Sequence, residues 1–154
     1  MRVVEQESVL AAAPEAVWAR VSTFEGINDE LRPLMRMTAP ARIRALDPAE
    51  VVLGERIFRS WILLFGLIPI DYDDLSLIAL EPGRGFHERS TMLSMRVWEH
   101  ERWLEPDGDG RCRIRDRLSF EPRVGFAGPL LERFIALTFR HRHKRLRRFF
   151  ERQQ

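Results

Sequence analysis

Cys112-Arg113-Ile114-Arg115-Asp116-Arg117-Leu118-Ser119-Phe120 is the stretch whose reading decides the fold of this chain. It alternates with a period of two, with Cys112, Ile114, Leu118 and Phe120 on one side and Arg113, Arg115 and Arg117 on the other. That is the pattern of a half-buried β-strand, whose apolar side faces a core. Asp116 falls on the apolar side. A carboxylate facing a core is costly unless it is paired, so the neighbouring strands should supply partners.

Two further stretches, Phe86-His87-Glu88-Arg89-Ser90 and Trp98-Glu99-His100-Glu101-Arg102, also alternate and also carry ionisable residues on a mixed side. In strand 96–104 hydrophobicity does not choose between the two faces. Charge does: Glu99 and Glu101 turned outward lie among Arg113, Arg115 and Arg117, a favourable cross-strand ladder. His100, Arg102, Trp98 and Leu104 then point inward, with His100 opposite Asp116 or one pair away. The tight connection at Leu93-Ser94 gives strand 85–93 the same register, with Phe86, Glu88 and Ser90 inward and Glu88 beside His100. In strand 70–80 the inward set is expected to be Tyr72, Ser76, Ile78 and Leu80. The facing of strand 53–65 stays open.

The expected floor is therefore apolar with a polar stripe of Glu88, His100, Arg102 and Asp116, joined by Tyr72. Flanking carboxylates are expected to favour a protonated His100, able to donate a proton near neutral pH.

Working outward, residues 2–10 read as a first strand. Pro14 suits the first turn of a helix reaching Val21, and a second helical piece is expected over 25–37, broken by Pro33. Pro and Gly then punctuate the chain at strand-like intervals, giving strands near 41–46, 53–65, 70–80, 85–93, 95–104 and 111–121. Gly128-Pro129 opens an amphipathic helix of about 24 residues, longer than the ~11–12 typical of globular helices. Its apolar positions are Leu131, Ile135, Phe139, Leu146 and Phe150, with Arg142 and His143 filling a gap in the stripe. His143 lies on that stripe, within reach of a cavity beneath the helix.

The order of elements, with Ala13-Pro14-Glu15-Ala16-Val17-Trp18 after the first strand, resembles the START/polyketide-cyclase-like (SRPBCC) superfamily. The closing run Phe139-Arg140-His141-Arg142-His143-Lys144-Arg145-Leu146 looks like the end of the long helix in its bacterial members. The resemblance spans residues 1–154, expected as one domain. It implies an α+β, helix-grip fold: a seven-stranded antiparallel sheet curved around one long C-terminal helix, with two short helices between strands 1 and 2.

Composition bounds the function. The chain has 154 residues, 45% hydrophobic and 31% charged, with a net charge of +2, as expected of an ordinary globular protein. Between Arg133 and Arg152 eight basic residues stand against the single acid Glu151. This run is read as the solvated face of the helix, since no nucleic-acid module accompanies it. Cys112 is alone, so no intrachain disulfide forms and a reducing, cytoplasmic location is expected; it is read as a core residue, not a nucleophile. Leu10-Ala11-Ala12-Ala13 lacks the apolar length of a signal peptide. The run from Trp61 to Ile70 is far short of the ~20 residues that span a bilayer, and is read as a buried strand entering a turn at Gly66 and Pro69. The alternative for that run is an exposed lip.

The function expected from these observations and from the resemblance is binding of a hydrophobic or amphipathic small molecule in a cavity between the C-terminal helix and the sheet. Lipids, polyketides and aromatic metabolites are the implied classes. Trp98, Tyr72, Glu88, His100, Arg102, Asp116 and His143 are the candidate ligand contacts. The alternative is a cyclase- or dehydratase-type enzyme in which His100 is general acid or base, oriented by Asp116 or Glu88, with Arg102 stabilising an enolate oxygen. No cofactor and no metal are expected, because Arg102 would repel a cation held by His100 and its carboxylates. Nucleic acid is not an expected partner, membrane contact is the less favoured possibility, and the assembly is a monomer or a homodimer.

Overall fold

A computed structural model describes all residues from Met1 to Gln154. Seven antiparallel strands, β1 (Arg2–Leu10), β2 (Met35–Met37), β3 (Arg56–Leu64), β4 (Ile68–Glu81), β5 (Gly85–Met92), β6 (Met95–Pro106) and β7 (Cys112–Pro122), form one sheet. Its spatial order is β1-β7-β6-β5-β4-β3-β2. Helices α1 (Pro14–Val21) and α2 (Phe24–Leu31) separate β1 from β2, and the 25-residue α3 (Gly128–Arg152) closes the chain. Irregular pairing between Arg56 and Phe58, Leu77 and Ala79, and Met95 and Val97 interrupts the ladders. Such bulges bend and twist strands, and the sheet curves around α3 as a helix-grip fold requires.

Local chemistry explains most boundaries. Thr23 caps α2 by accepting from the Gly26 amide at 3.0 Å. The helix ends at Leu31 because Arg32 precedes Pro33 and is extended (φ −60°, ψ 146°). The expected helix over 25–37 is therefore six residues too long, and its tail is the short strand β2.

The strand expected at 41–46 does not form. That segment makes a single bridge, Thr23 to Ala45, and hydrogen-bonds to the α1–α2 junction through Phe24 N to Arg44 O (2.9 Å) and Leu46 N to Ser22 O (2.8 Å). Its buried anchors Ile43 and Leu46 are three residues apart, a spacing that a strand would send to opposite faces.

The reading of 61–70 as a core strand is also corrected. These residues form the β3–β4 hairpin tip, with Trp61, Phe65, Ile68 and Ile70 exposed and Leu67 81% exposed. Helix α3 packs chiefly on β1, at the opposite edge of the sheet from β3, so its cover does not reach the tip. No helix is long and apolar enough to cross a membrane.

Three apolar clusters fill the interior. Leu10, Val17, Ile114 and Leu146 centre the first, under α1 and the C-terminal half of α3. Phe24, Ile43, Phe58 and Leu77 centre the second, and Met95, Trp98, Phe120 and Phe139 the third. Cys112 lies in the first, where burial pushes its thiol up to about 11; it is a packing residue.

Candidate functional site

The alternation of β7 does send Asp116 inward with Ile114 and Leu118. On β6 the buried set is Trp98, His100, Arg102 and Leu104; Arg102 pairs with Asp116, His100 with Leu118, and Glu88 of β5 lies directly across from His100. Glu99 and Glu101 face outward, yet their ionic partner is His87, while Arg113, Arg115 and Arg117 reach Glu7 and Glu5 of β1. The face assignment for β6 is right although the ladder inferred for it is mostly formed with another strand.

Behind the sheet face lies a closed set of ion pairs. Arg102 is fully buried. Its Nε and Nη2 donate to Asp116 at 2.8 Å each, and its Nη1 and Nη2 donate to Glu30 at 2.9 and 2.8 Å. The planar fork of arginine suits this double bidentate grip. Arg142 of α3 adds a third bond to Glu30 at 3.0 Å. Two arginines thus face two carboxylates, each charge bonded. Burial opposes ionisation of both acids, but the Arg102 charge with its hydrogen bonds holds Asp116 well below the usual carboxylate range, and Arg102 with Arg142 holds Glu30 below it too.

Asp116 also accepts from His100 Nε2 (2.7 Å) and His143 Nε2 (2.6 Å). Arg147 donates to Ser8 Oγ at 2.8 Å, leaving the Ser8 hydroxyl hydrogen for His143 Nδ1, also at 2.8 Å. His143 therefore lies inside the network and does not line the cavity. His100 does line it. Burial lowers its pKa, Asp116 pulls the other way, and the charges of Arg102 and Arg142 add to the lowering. The expectation of a protonated His100 is corrected: the imidazole is neutral near pH 7, with Nε2–H committed to Asp116 and Nδ1 a bare acceptor.

Nδ1 faces Glu88 Oε1 across 4.0 Å, too far for a hydrogen bond. Glu88 Oε2 accepts from Ser90 at 2.8 Å. Next to this pair stands Asp73 of β4, 2% exposed, whose Oδ1 has no hydrogen-bond partner. Burial, then the charge of Glu88, pushes the Asp73 carboxyl well above the ordinary aspartate range.

Asp73 replaces Tyr72 on the inner face. The strand presents Asp73, Leu75 and Leu77 inward, so Tyr72, Ser76 and Ile78 point the other way, and only Leu80 regains the inner side beyond the bulge at Leu77/Ala79. Tyr72 packs on the outer face, edge-on to Trp61 at 5.4 Å and under the Arg59 guanidinium at 3.9 Å. The cation over its ring stabilises that placement.

Asp73, Glu88 and His100 line a cavity of about 270 Å³, whose other polar lining residues are Asp71, Ser94, Thr138 and Arg142. It runs between α2, α3 and the sheet from buried Leu77 to half-exposed Phe134 and Ile70. Seventeen of its 24 lining residues are hydrophobic, Trp98 among them, so the body of the space is apolar and its polarity is local. Arg102 and Asp116 do not reach the lining; they support His100 from behind. No group of three or more His, Cys, Asp or Glu side chains is arranged to hold a metal ion.

Three site residues escaped the sequence reading. Glu30 sits in Asn28-Asp29-Glu30, which looks solvated, yet it shares the helical face of Ile27 and Leu31. Arg142 occupies the gap already visible in the α3 stripe. Asp73 stands beside Tyr72, and hydrophobicity favours the tyrosine as the inward residue.

A curved antiparallel sheet gripping a long C-terminal helix over a cavity is the START/SRPBCC architecture. A START superfamily protein from Mycobacterium smegmatis superimposes with a TM-score of 0.69 at 14% identity, covering 99% of both chains. Protein CV1439 from Chromobacterium violaceum gives 0.72 at 14% identity, covering 98% of this chain and 99% of its own. DynU16, from the dynemicin biosynthetic locus, gives 0.57 at 14% identity over 92% of this chain and 46% of its own. Within that class the chain belongs to the domain of unknown function family DUF8410, whose model matches residues 8–150. No curated protein matches it.

Proposed function

We propose that this protein binds an amphipathic small molecule, with its apolar body against Trp98, Leu77 and Phe139 and its polar end at Asp73, Glu88 and His100. The observation that carries this reading is the cavity itself, lined mostly by apolar side chains with a few polar groups, Asp73, Glu88 and His100 among them. A volume of about 270 Å³ lies just below the ~300–1,000 Å³ of small-molecule sites. It suits a one- or two-ring compound or a short chain and is too small for a two-tailed lipid. Among the lipid, polyketide and aromatic classes, a compact aromatic or polyketide-like skeleton fits best.

Titration with naphthylethanol, a neutral two-ring probe, tests the reading. Saturable 1:1 quenching of Trp98 fluorescence, abolished when Thr138→Trp fills the cavity without unfolding the protein, is the expected result. Native mass spectrometry of gently purified protein should also reveal an adduct lost on denaturation. No saturable binding and no adduct would sink the proposal.

The enzyme reading is favoured by one observation, the bare Nδ1 of His100 on the cavity wall, oriented through Nε2–H by ionised Asp116. That arrangement makes His100 a base towards a bound C–H or O–H acid, with Asp116 as its positioning residue. Arg102 does not reach the lining to meet an oxyanion, and Arg142 is the arginine there. His100→Gln separates the two: a binder shifts only in affinity, whereas an enzyme keeps affinity and loses turnover.

A further inference from the structure

We propose that the ligand of this cavity carries a protonated amine, seated between the Asp73 and Glu88 carboxyls with His100 Nδ1 as a third acceptor. This rests on the cavity being a ligand site, as argued above, and adds the chemistry of the ligand's polar end.

The argument begins with where the buried charges are matched. Arg102 is committed to Asp116 and Glu30, and Arg142 binds Glu30 through Nε; neither forms an ion pair with Asp73 or Glu88. Asp73 and Glu88 are the two buried carboxyls left without an arginine. Asp73 Oδ1 is sealed from solvent and has no hydrogen-bond partner, a costly state for a buried polar atom. Glu88 has one oxygen on Ser90 and the other 4.0 Å from an imidazole nitrogen that, with its proton on Nε2, offers a lone pair. The Asp73 and Glu88 carboxyls and the His100 ring thus share one cavity wall.

The groups facing Asp73 from each packed element offer no protein cation to complete it. They are Ser60 across the β3 ladder, Glu88 and Ser90 on β5, His100 on β6, Asp71 on its own strand, and on α3 Arg142, which is bound to Glu30. Asp71 is itself occupied by the Tyr72 amide and by the amide and hydroxyl of Ser94. An ammonium brings three N–H donors and one positive charge, which suits a wall holding two carboxyls that no arginine pairs. A metal ion does not match, since no cluster with metal-ligand geometry is present. A ligand carboxylate placed there would crowd two acidic side chains and an imidazole lone pair.

In the free protein burial, and then the neighbouring Glu88 carboxyl, favour the protonated form of Asp73. When R–NH3⁺ enters, Asp73–COOH becomes Asp73–COO⁻ and its proton passes to the buffer. Amine binding therefore releases protons and tightens as pH rises, until the amine itself deprotonates. Binding of a neutral alcohol does neither.

The test compares naphthylethylamine, naphthylethanol and naphthylacetate, which share one apolar body, by Trp98 quenching and calorimetry between pH 5 and 8. The expected order is amine over alcohol by about tenfold or more, as for a charge-assisted over a neutral hydrogen bond, with the carboxylate weakest. Heats of amine binding should depend on the ionisation enthalpy of the buffer, reporting proton release. Asp73→Asn should bring the amine-to-alcohol affinity ratio down to about one, and Glu88→Gln provides the same measurement should Asp73→Asn fail to fold. Equal binding of amine and alcohol, or tightest binding of the carboxylate, overturns the amine assignment and leaves the cavity reading standing. If no probe binds at all, both readings fall.

Discussion

Two acidic regions lie a few ångströms apart in this molecule and are built on opposite terms. Behind the sheet face, Asp116 and Glu30 are ionised, each held by arginine at hydrogen-bond distance, with His100 and His143 donating to the remaining positions on Asp116. On the cavity side, Asp73 and Glu88 face one another with no arginine, and Asp73 resists ionisation. Matching of charge in the interior is thus complete where side chains lock α2 and α3 onto the sheet, and incomplete where they meet the cavity. The first region is structural support; the second is where a ligand has something to gain.

The largest expected effect comes from breaking the matched region. Arg102→Met leaves Asp116 without its guanidinium and Glu30 with Arg142 alone, and should cost about 3–5 kcal/mol in urea unfolding, the range for stripping one partner from a buried ion pair. A loss below about 1 kcal/mol would mean that the network is far better solvated than its burial implies.

The unmatched region should respond in the opposite direction. Asp73→Asn removes a carboxyl that must take up a proton to be buried, and is expected to stabilise by about 1–3 kcal/mol near neutral pH. The pH dependence separates the two regions by sign. Asp116 and Glu30, with lowered folded pKa values, contribute stability that is present above ~4 and lost as pH falls through those folded values. His100, also lowered, contributes stability that is full above ~6.5 and declines below it. Asp73, with a raised value, contributes fully only below ~3.9, and that contribution is lost as pH rises towards its folded pKa. The advantage of Asp73→Asn over the wild type should therefore grow from pH 4 to pH 8. An advantage that shrinks over that range would contradict the raised Asp73 pKa.

A third, smaller effect tests how far the matched region extends. Ser8→Ala deprives His143 Nδ1 and Arg147 of their shared hydroxyl. The expected loss is about 1 kcal/mol, a typical value for one buried hydrogen bond, seen as a lower urea midpoint with unchanged slope.

The strands that carry strict alternation were legible in the sequence, and so were the inward positions of Glu88, His100, Arg102 and Asp116. A one-residue slip would have exposed Ile114 and Leu118, leaving a single register. What stayed hidden depended on long-range pairing. Glu30 lies 72 residues from Arg102; its helical face is shared with Ile27 and Leu31, but nothing local names the arginine that pairs with it. In β4 the run Asp71-Tyr72-Asp73-Asp74 gives hydrophobicity only one choice, and the choice fails because Tyr72 gains Arg59 and Trp61 on the outer face. The basic run of α3 misled for the same reason: Arg142, Arg145 and Arg147 turn back to Glu30, Asp29 and Ser8. Charge run by itself does not say which charges are solvated.

The smallest expected effect serves as the control for the whole comparison. Glu5 and Arg117 form an ion pair on the outer face at 3.3 Å, with both side chains more than half exposed. By distance alone it resembles the Arg142–Glu30 pair at 3.0 Å inside. Water screens the outer pair, and two long side chains lose rotamer freedom to make it, so Glu5→Gln should change stability by no more than about 0.5 kcal/mol. Added salt should shift it little further, because there is little Coulomb energy left to screen. If Glu5→Gln cost as much as Arg102→Met, the contrast between matched interior charge and the solvated surface would fail, and the ion pairs of the outer face would have to be counted as part of what holds the sheet together.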